Sequence, residues 1–242
     1  MVLSKPVPQE KRRVGRPRKR ESVPSDGEPR EHILATAARL FAEKGIAEVS
    51  MLEIAQQSGL VQSSLYYWFR RKESIVAELL QQVNRLPLAF AKQLKRDGGE
   101  PDVQLFRLVR FDVRNVCLFP LEITEVHRFS KRDRAAFETY WRERRQLTAT
   151  LQEIVARGIE SGAFRKVDSY LCALTIIAQD ESVQNWLRRE PGAKGKLVPE
   201  DPAVQRYTAE EISEFVATQT VASLVASATR VEQVRKKAAK ER

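Results

Sequence analysis

The stretch Val61-Gln-Ser-Ser-Leu-Tyr-Tyr-Trp-Phe69 sets four aromatic side chains in a row shortly after three small or polar ones. Charged residues, Arg70-Arg71-Lys72-Glu73, follow at once. A helix burying every ring would need apolar surroundings on all sides, and the charges forbid that. At about 100° per residue, Leu65 and Phe69 lie within about 40° of each other and define one buried face. Ser63 and Tyr67 fall nearly opposite, at about 160° and 200° from Leu65, while Tyr66 and Trp68 flank the apolar side. The outward face is small and polar at its N-terminal end, with one tyrosine further along. Such a face can sit deep in a nucleic-acid groove, where a phenol offers a ring to a thymine methyl and a hydroxyl to a base edge or phosphate. Gln62, in the first turn, suits bidentate contact with adenine.

Two further helices precede this one. Ile33, Ala37, Leu40 and Phe41 recur at i, i+4, i+7 and i+8, the stripe of an amphipathic helix that starts near Pro29 and stops at Gly45. Ser50-Met-Leu-Glu53 has capping-box spacing and opens a short helix that ends at Gly59. The next begins within three residues. Three short helices with a tight glycine turn between the last two form the outline of a helix-turn-helix. Short helices in series also occur in plain bundles, so the outline alone leaves both readings open.

Composition points the same way. The 242 residues carry a net charge of +10, and residues 1–30 hold nine Lys/Arg against four Asp/Glu, half of that excess. Charge gathered at one end favours a polyanionic partner. Residues 1–28 are proline-rich and poor in large apolar side chains, as in a disordered arm. Within them, Lys11-Arg-Arg-Val-Gly-Arg-Pro-Arg-Lys-Arg20 resembles an AT-hook centred on Arg16, with Val14 where an arginine is usual. A phosphate-binding tail without sequence preference accounts for the same residues. No apolar run reaches spanning length, and the N-terminus does not read as a secretory signal. Cys117 and Cys172 lie far apart in apolar runs, which fits buried free thiols in a reducing, cytoplasmic compartment.

The ordered set Ile33-Leu-x-x-Ala37…Leu40-Phe41-x-x-x-Gly45, Ser50…Ile54-Ala55-x-x-x-Gly59 and Ser64-Leu65-Tyr66-x-x-Phe69-x-x-Lys72-Glu73 resembles the DNA-binding domain of the tetracycline-repressor (TetR) family. The resemblance covers residues 29–75. It implies an all-α protein: an N-terminal three-helix DNA-binding domain over 29–73 and a larger helical effector-binding and dimerisation domain over 74–230, with 231–242 left as a basic tail. By resemblance Gln62, Ser63 and Tyr67 face bases, while Ser50, Ser64, Tyr66 and Lys72 touch the DNA backbone or support that contact. Tyr66 could equally be a rim residue, Lys72 a solvated charge and Trp68 a packing ring. Two departures stand out. Val61 replaces the Ser/Thr that usually caps the reading helix, a loss of about 1 kcal/mol. Leu52 replaces a commonly polar or basic residue, which shifts direct readout onto the third helix and extra affinity onto the basic arm.

Beyond residue 74 the periodicity gives helices at 74–95, 101–117, 121–128, 131–161, 167–189 and 207–236, with a long polar loop over 191–207. The apolar segments 167–189 and 207–230 resemble the pair that forms the family's dimer interface; burial within one chain is the other reading. Phe106, Cys117, His127, Tyr140, Trp141 and Cys172 are candidate effector-lining residues. No nucleophile–base pair, phosphate loop or metal-ligand spacing stands out, so neither an enzyme nor a cofactor or metal is expected. The resemblance implies a homodimeric repressor, cytoplasmic and nucleoid-associated, released from a palindromic operator on double-stranded DNA by a small apolar effector. A ligand-independent DNA-binding protein of the same fold, working through protein partners or DNA organisation, is the competing reading.

Overall fold

Eleven α-helices occupy the residues described by this computed structural model, 28–189, 197–199 and 207–240. They are α1 (Glu28–Lys44), α2 (Met51–Gln57), α3 (Gln62–Trp68), α4 (Lys72–Leu79), α5 (Gln81–Asp97), α6 (Pro101–Leu118), α7 (Ile123–Ser130), α8 (Glu138–Glu160), α9 (Ser169–Ser182), α10 (Ala209–Ala222) and α11 (Ala228–Lys240). The all-α expectation holds, with one small addition. After α9 a 3-10 turn leads into β1 (Leu187–Arg189), which pairs antiparallel with β2 (Leu197–Pro199). The basic arm with Arg16, and most of the polar loop before α10, lie outside the described residues.

Several helices end where distant groups satisfy their backbone, and these are the points where periodicity misplaces boundaries. The expected single helix over 74–95 starts two residues earlier and breaks at Leu80, which closes α4 and opens α5. Inside α5, Pro87 has no N–H to offer the carbonyl of Val83, and Asn115 Nδ2 donates to that carbonyl instead, at 3.2 Å. The expected helix over 131–161 begins only at Glu138, after a turn in which Asp133 Oδ1 accepts from the Ala136 amide at 3.1 Å. The one expected over 167–189 stops at Ser182. Beyond it Gln184 ties down the α6–α7 connection, donating to the carbonyls of Val116 and Leu121 and accepting from the Ile123 amide at 2.8 Å.

The last expected helix, 207–236, is two. Arg165 takes the carbonyls at the end of α10, its amide donating to Leu224 O at 2.8 Å and its Nε to Ser223 O at 2.7 Å. The chain then turns into α11, which packs on α6 with Val234 and Ala238 buried. Residues 231–240 are therefore part of the helical domain and not a basic tail. Arg230, near the start of α11, donates to the fully buried Asp102 carboxylate at 2.6 Å and to Glu100 at 3.0 Å.

The larger domain is built around α6, against which α5, α8, α9, α10 and α11 all pack. Such a helix must bury polar positions too. Asp112 of α6 meets Asp180 of α9 in the core, with Glu181 and Arg144 nearby. No N–H or hydroxyl donor reaches either Asp180 oxygen. The two carboxyl groups can therefore hydrogen-bond only when one of them holds a proton. Burial, and then the negative charge of Glu181, push Asp112 up to about 7, and burial and Asp112 push Asp180 up as well.

Because the folded pair keeps a proton that the unfolded chain gives up near pH 4, the folded state is favoured at low pH and loses that advantage as pH rises through about 7. Asp112→Asn combined with Asp180→Asn keeps the shape and removes both titrating carboxyl groups. We expect the native protein to lose on the order of 1–3 kcal/mol between pH 5.5 and 8.5 from this pair, and the variant to lose much less, as read by urea unfolding at the two pH values. Parallel pH dependence in both proteins would contradict the shared proton.

Candidate nucleic-acid interface

The N-terminal module rests on two polar turns. Gly45 closes α1 with φ +86°, its amide donating to Phe41 O at 2.9 Å. Ser50 caps α2, its Oγ accepting from the Glu53 amide at 3.1 Å. The box is not reciprocal, because the Glu53 carboxylate turns to Lys44 Nζ at 2.6 Å. The Lys44 ammonium holds Glu53 below the usual carboxylate range. Gly59, at φ +67°, makes the tight turn into α3, and the Leu60 amide donates back to Ala55 O at 2.9 Å. Val61 stands at the head of α3 with no side-chain hydrogen bond, as its chemistry dictates.

Around α3 the division expected from helical geometry is present. Leu65 and Phe69 are sealed in the core, with the Arg30 guanidinium 5.1 Å from the Phe69 ring centroid. Trp68 is half-buried against that core and meets Tyr67 edge to face, centroids 5.2 Å apart. Gln62, Ser63 and Tyr66 are exposed, Ser64 is half-buried, and Tyr67 is 81% exposed, extreme for a tyrosine within a helix. Apart from that contact with Trp68, the Tyr67 ring is held out in water by an ordered helix. Leu52, near the start of α2, is also exposed at 47%. Ser50 is exposed beside it, so its hydroxyl can donate outward while its oxygen caps α2.

Lys72 is placed differently from the expectation of a phosphate contact. Its ammonium donates to three backbone carbonyls of the α1–α2 loop: Ile46 at 2.6 Å, Ala47 at 3.1 Å and Val49 at 2.8 Å. An ammonium has three protons, and here each has a partner. The Phe129 ring centroid of α7 lies 5.8 Å from Nζ, and burial lowers the Lys72 pKa from its ordinary value. Lys72 thus braces the loop from within. On the loop's other side Glu125 of α7 accepts from the Ile46 amide at 2.6 Å. Spacing and periodicity carry no sign of Glu125, which lies 79 residues from its partner in the chain.

The candidate effector residues are scattered. Phe106 and Cys117 are buried in α6, and burial pushes the Cys117 thiol up to about 11. Cys172 is a half-buried free thiol on α9. His127, Tyr140 and Trp141 do come together: His127 Nε2 lies 2.8 Å from Tyr140 Oη, and its ring is 5.0 Å from that of Trp141. Burial lowers the His127 pKa and raises that of Tyr140. Arg144 holds Glu181 beside them through two bonds of 2.9 and 2.8 Å. Among the described residues no group of His, Cys, Asp and Glu converges as metal ligands would, and no helix is long and apolar enough to cross a membrane.

Comparison with known proteins bears on the same region. Residues 33–79 match the family model of bacterial regulatory proteins, tetR family. The chain is 36% identical over 73 residues to the transcriptional regulator AcrR of Shigella flexneri, covering 29% of this chain and 34% of AcrR. It is 38% identical over 87 residues to the regulator EthR of Mycolicibacterium smegmatis, covering 35% of this chain and 40% of EthR. These matches thus span well under half of either relative. The whole fold is similar to the crystal structure of the TetR-family regulator PfmR from Thermus thermophilus, with a TM-score of 0.64 at 24% identity over 78% of this chain and 97% of PfmR. The match over residues 33–79 thus assigns the helix-turn-helix module, and not the rest of the chain, to the tetR family of bacterial regulatory proteins, while the likeness to PfmR is one of fold.

Proposed function

We propose that this protein is a sequence-specific transcriptional repressor that binds a palindromic operator as a homodimer and leaves it when a small molecule occupies the larger domain. The observation that carries the reading is the outward face of α3, where Gln62, Ser63 and Tyr67 stand in solvent on a helix whose other side is sealed by Leu65 and Phe69. Gln62 and Tyr67 would read bases, and Ser50, Ser64 and Tyr66 would hold the phosphates on either side. One such module reads only a few base pairs, and a two-fold dimer doubles the site.

The exposed faces of α9 and α10 support that dimer. Tyr170, Leu171 and Leu174 line one side of α9, opposite the buried Ala173, Ile176 and Ile177. Phe215 of α10 is 57% exposed. Apolar side chains repeated on the outside of two neighbouring helices suit a four-helix contact between copies. The competing role, broad DNA organisation without a ligand, draws on the basic N-terminal arm alone.

Three measurements test the DNA reading. Sequencing genomic DNA that co-purifies with the protein should return a few palindromes near promoters, whereas even A·T-rich coverage would favour DNA organisation. Tyr67→Ala should weaken binding to such a palindrome by roughly 1–3 kcal/mol while leaving random DNA almost unaffected, and equal losses on both would remove Tyr67 from the groove. Lys72→Ala should lower the melting temperature, since it strips donors worth about 1–3 kcal/mol from three carbonyls, yet leave the slope of log affinity against log salt unchanged. A slope reduced by about one unit would return Lys72 to the phosphates. For the dimer, Leu171→Glu combined with Phe215→Glu should give monomers by sedimentation and abolish operator binding; a dimer that survives both places the interface elsewhere.

A further inference from the structure

Eleven of the eighteen positions of α6 are buried, and its main outward strip is unusual. Arg107, Arg110, Phe111 and Arg114, at i, i+3, i+4 and i+7, all face one side. That side forms the floor of an open cavity of about 620 Å³, walled by Phe90 of α5 and Glu210 of α10. Phe90 and Phe111 stack there with centroids 4.6 Å apart and planes 23° from parallel, and the Arg107 guanidinium lies 5.7 Å from the Phe90 centroid. The walls are thus an aromatic base ringed by guanidinium groups.

The ion pairs of the ring differ in how far they are exposed. Glu210 is shared between Arg110 and Arg114, the latter at 3.2 Å, and Glu214 pairs with Arg110 at 3.2 Å and with Arg235 at 3.0 Å. Arg235 also has Glu232 at 3.1 Å, so Arg114 is the one of these three arginines that, among the described residues, pairs with Glu210 alone. Arg110 is mostly enclosed, whereas the Arg114 side chain is 55% exposed. A guanidinium presents a planar fork that a carboxylate or phosphate fills with two bonds, and Arg114 can turn that fork from Glu210 to an incoming anion.

We propose that this cavity binds an amphiphilic organic anion, its apolar or aromatic body on the Phe90–Phe111 stack and its carboxylate or phosphate on Arg114 beside Arg107. The volume is that of a small-molecule site and too small for a helix of a second protein. Glu210 acts as the built-in competitor, holding Arg114 until the anion displaces it. Binding itself is independent of the repressor reading. Its consequence for DNA rests on that reading, and would pass through α5, which carries Phe90 and joins α4 at Leu80.

The test uses the full chain and 8-anilinonaphthalene-1-sulfonate, an aromatic anion whose emission rises in apolar surroundings. It should bind saturably and be displaced by dodecanoate and dodecyl phosphate, whose relative potency separates carboxylate from phosphate, but not by uncharged dodecanol. Arg114→Gln should weaken binding about tenfold, and Glu210→Gln should strengthen it severalfold. Arg114→Lys, which retains charge without the fork, should fall between and guards against a misfolded glutamine variant. Equal displacement by dodecanol, or unchanged affinity in Arg114→Gln and Glu210→Gln, would overturn the proposal. Repeating the titration with operator DNA separates the two readings: anion binding that obeys the Arg114 and Glu210 pattern without weakening DNA binding leaves the site and removes its effector role.

Discussion

The loop at residues 45–49 is gripped from two sides, and the placement of the reading helix depends on that grip. Glu125 of α7 takes its amides while Lys72, at the start of α4, takes its carbonyls. A carboxylate on N–H groups and an ammonium on C=O groups satisfy both polarities of one backbone segment, and the two charges also attract each other across it. Neither partner belongs to the α1–α2–α3 unit. Arg71 adds an ion pair to Asp133, just beyond α7. The helix-turn-helix module is therefore coupled to the larger domain through charge-assisted bonds to its backbone, which tolerate little displacement before buried polar groups lose their partners.

That geometry also shows what a sequence can and cannot convey. The caps at Ser50 and Thr208, the glycine stops and the two faces of α3 are set by neighbours within four residues, so spacing reveals them; Thr208 and Glu211 even close the full reciprocal box. Lys72 has a charge that suits phosphate, and only the fold reveals that its three protons are already engaged. The same limit applies to helix ends. Pro87 would ordinarily interrupt α5, and it is tolerated because Asn115, 28 residues later, supplies a donor to the released carbonyl. The break after α10 depends on Arg165, and the burial of α11 on Asp102. Each is a long-range contact with no periodic trace. The candidate site divides likewise: the outward face of α3 was legible from angles, whereas the ring of arginines on α6 reads in sequence as an ordinary solvated stripe until α5 and α10 are placed beside it.

Burying one helix on most sides has a further cost, met by pairing. Along α6, Asp102 pairs with Arg230, while Gln104 Nε2 donates to the carbonyls of Leu94 and Gly98 and its Oε1 accepts from Arg157 at 2.6 Å. Asp112 meets another acid, and burial favours a proton on the pair. These partners come from α5 and its C-terminal turn, α8, α9 and α11, so α6 fixes the mutual positions of the whole domain through polar bonds as well as packing.

Of the helices held by this network, α5 is the one that joins α4 and so leads toward the helix-turn-helix module. From Phe90 back to Leu80 is about ten residues, or about 15 Å of helix, and the Asn115 bond to Val83 and the Asn84 bond to Tyr140 O clamp the middle of it. A segment clamped in this way moves as a unit or by rotation about the clamp. Pro87 lies between Phe90 and Leu80, and the Asn115 bond to the carbonyl it frees ties that point of α5 to α6; beyond Leu80 lies α4, whose first residue is Lys72. The cation that braces the 45–49 loop thus stands at the far end of α4, and α5, which lines the cavity, joins α4 at Leu80, so two helices and three hydrogen bonds lie between the cavity and that loop.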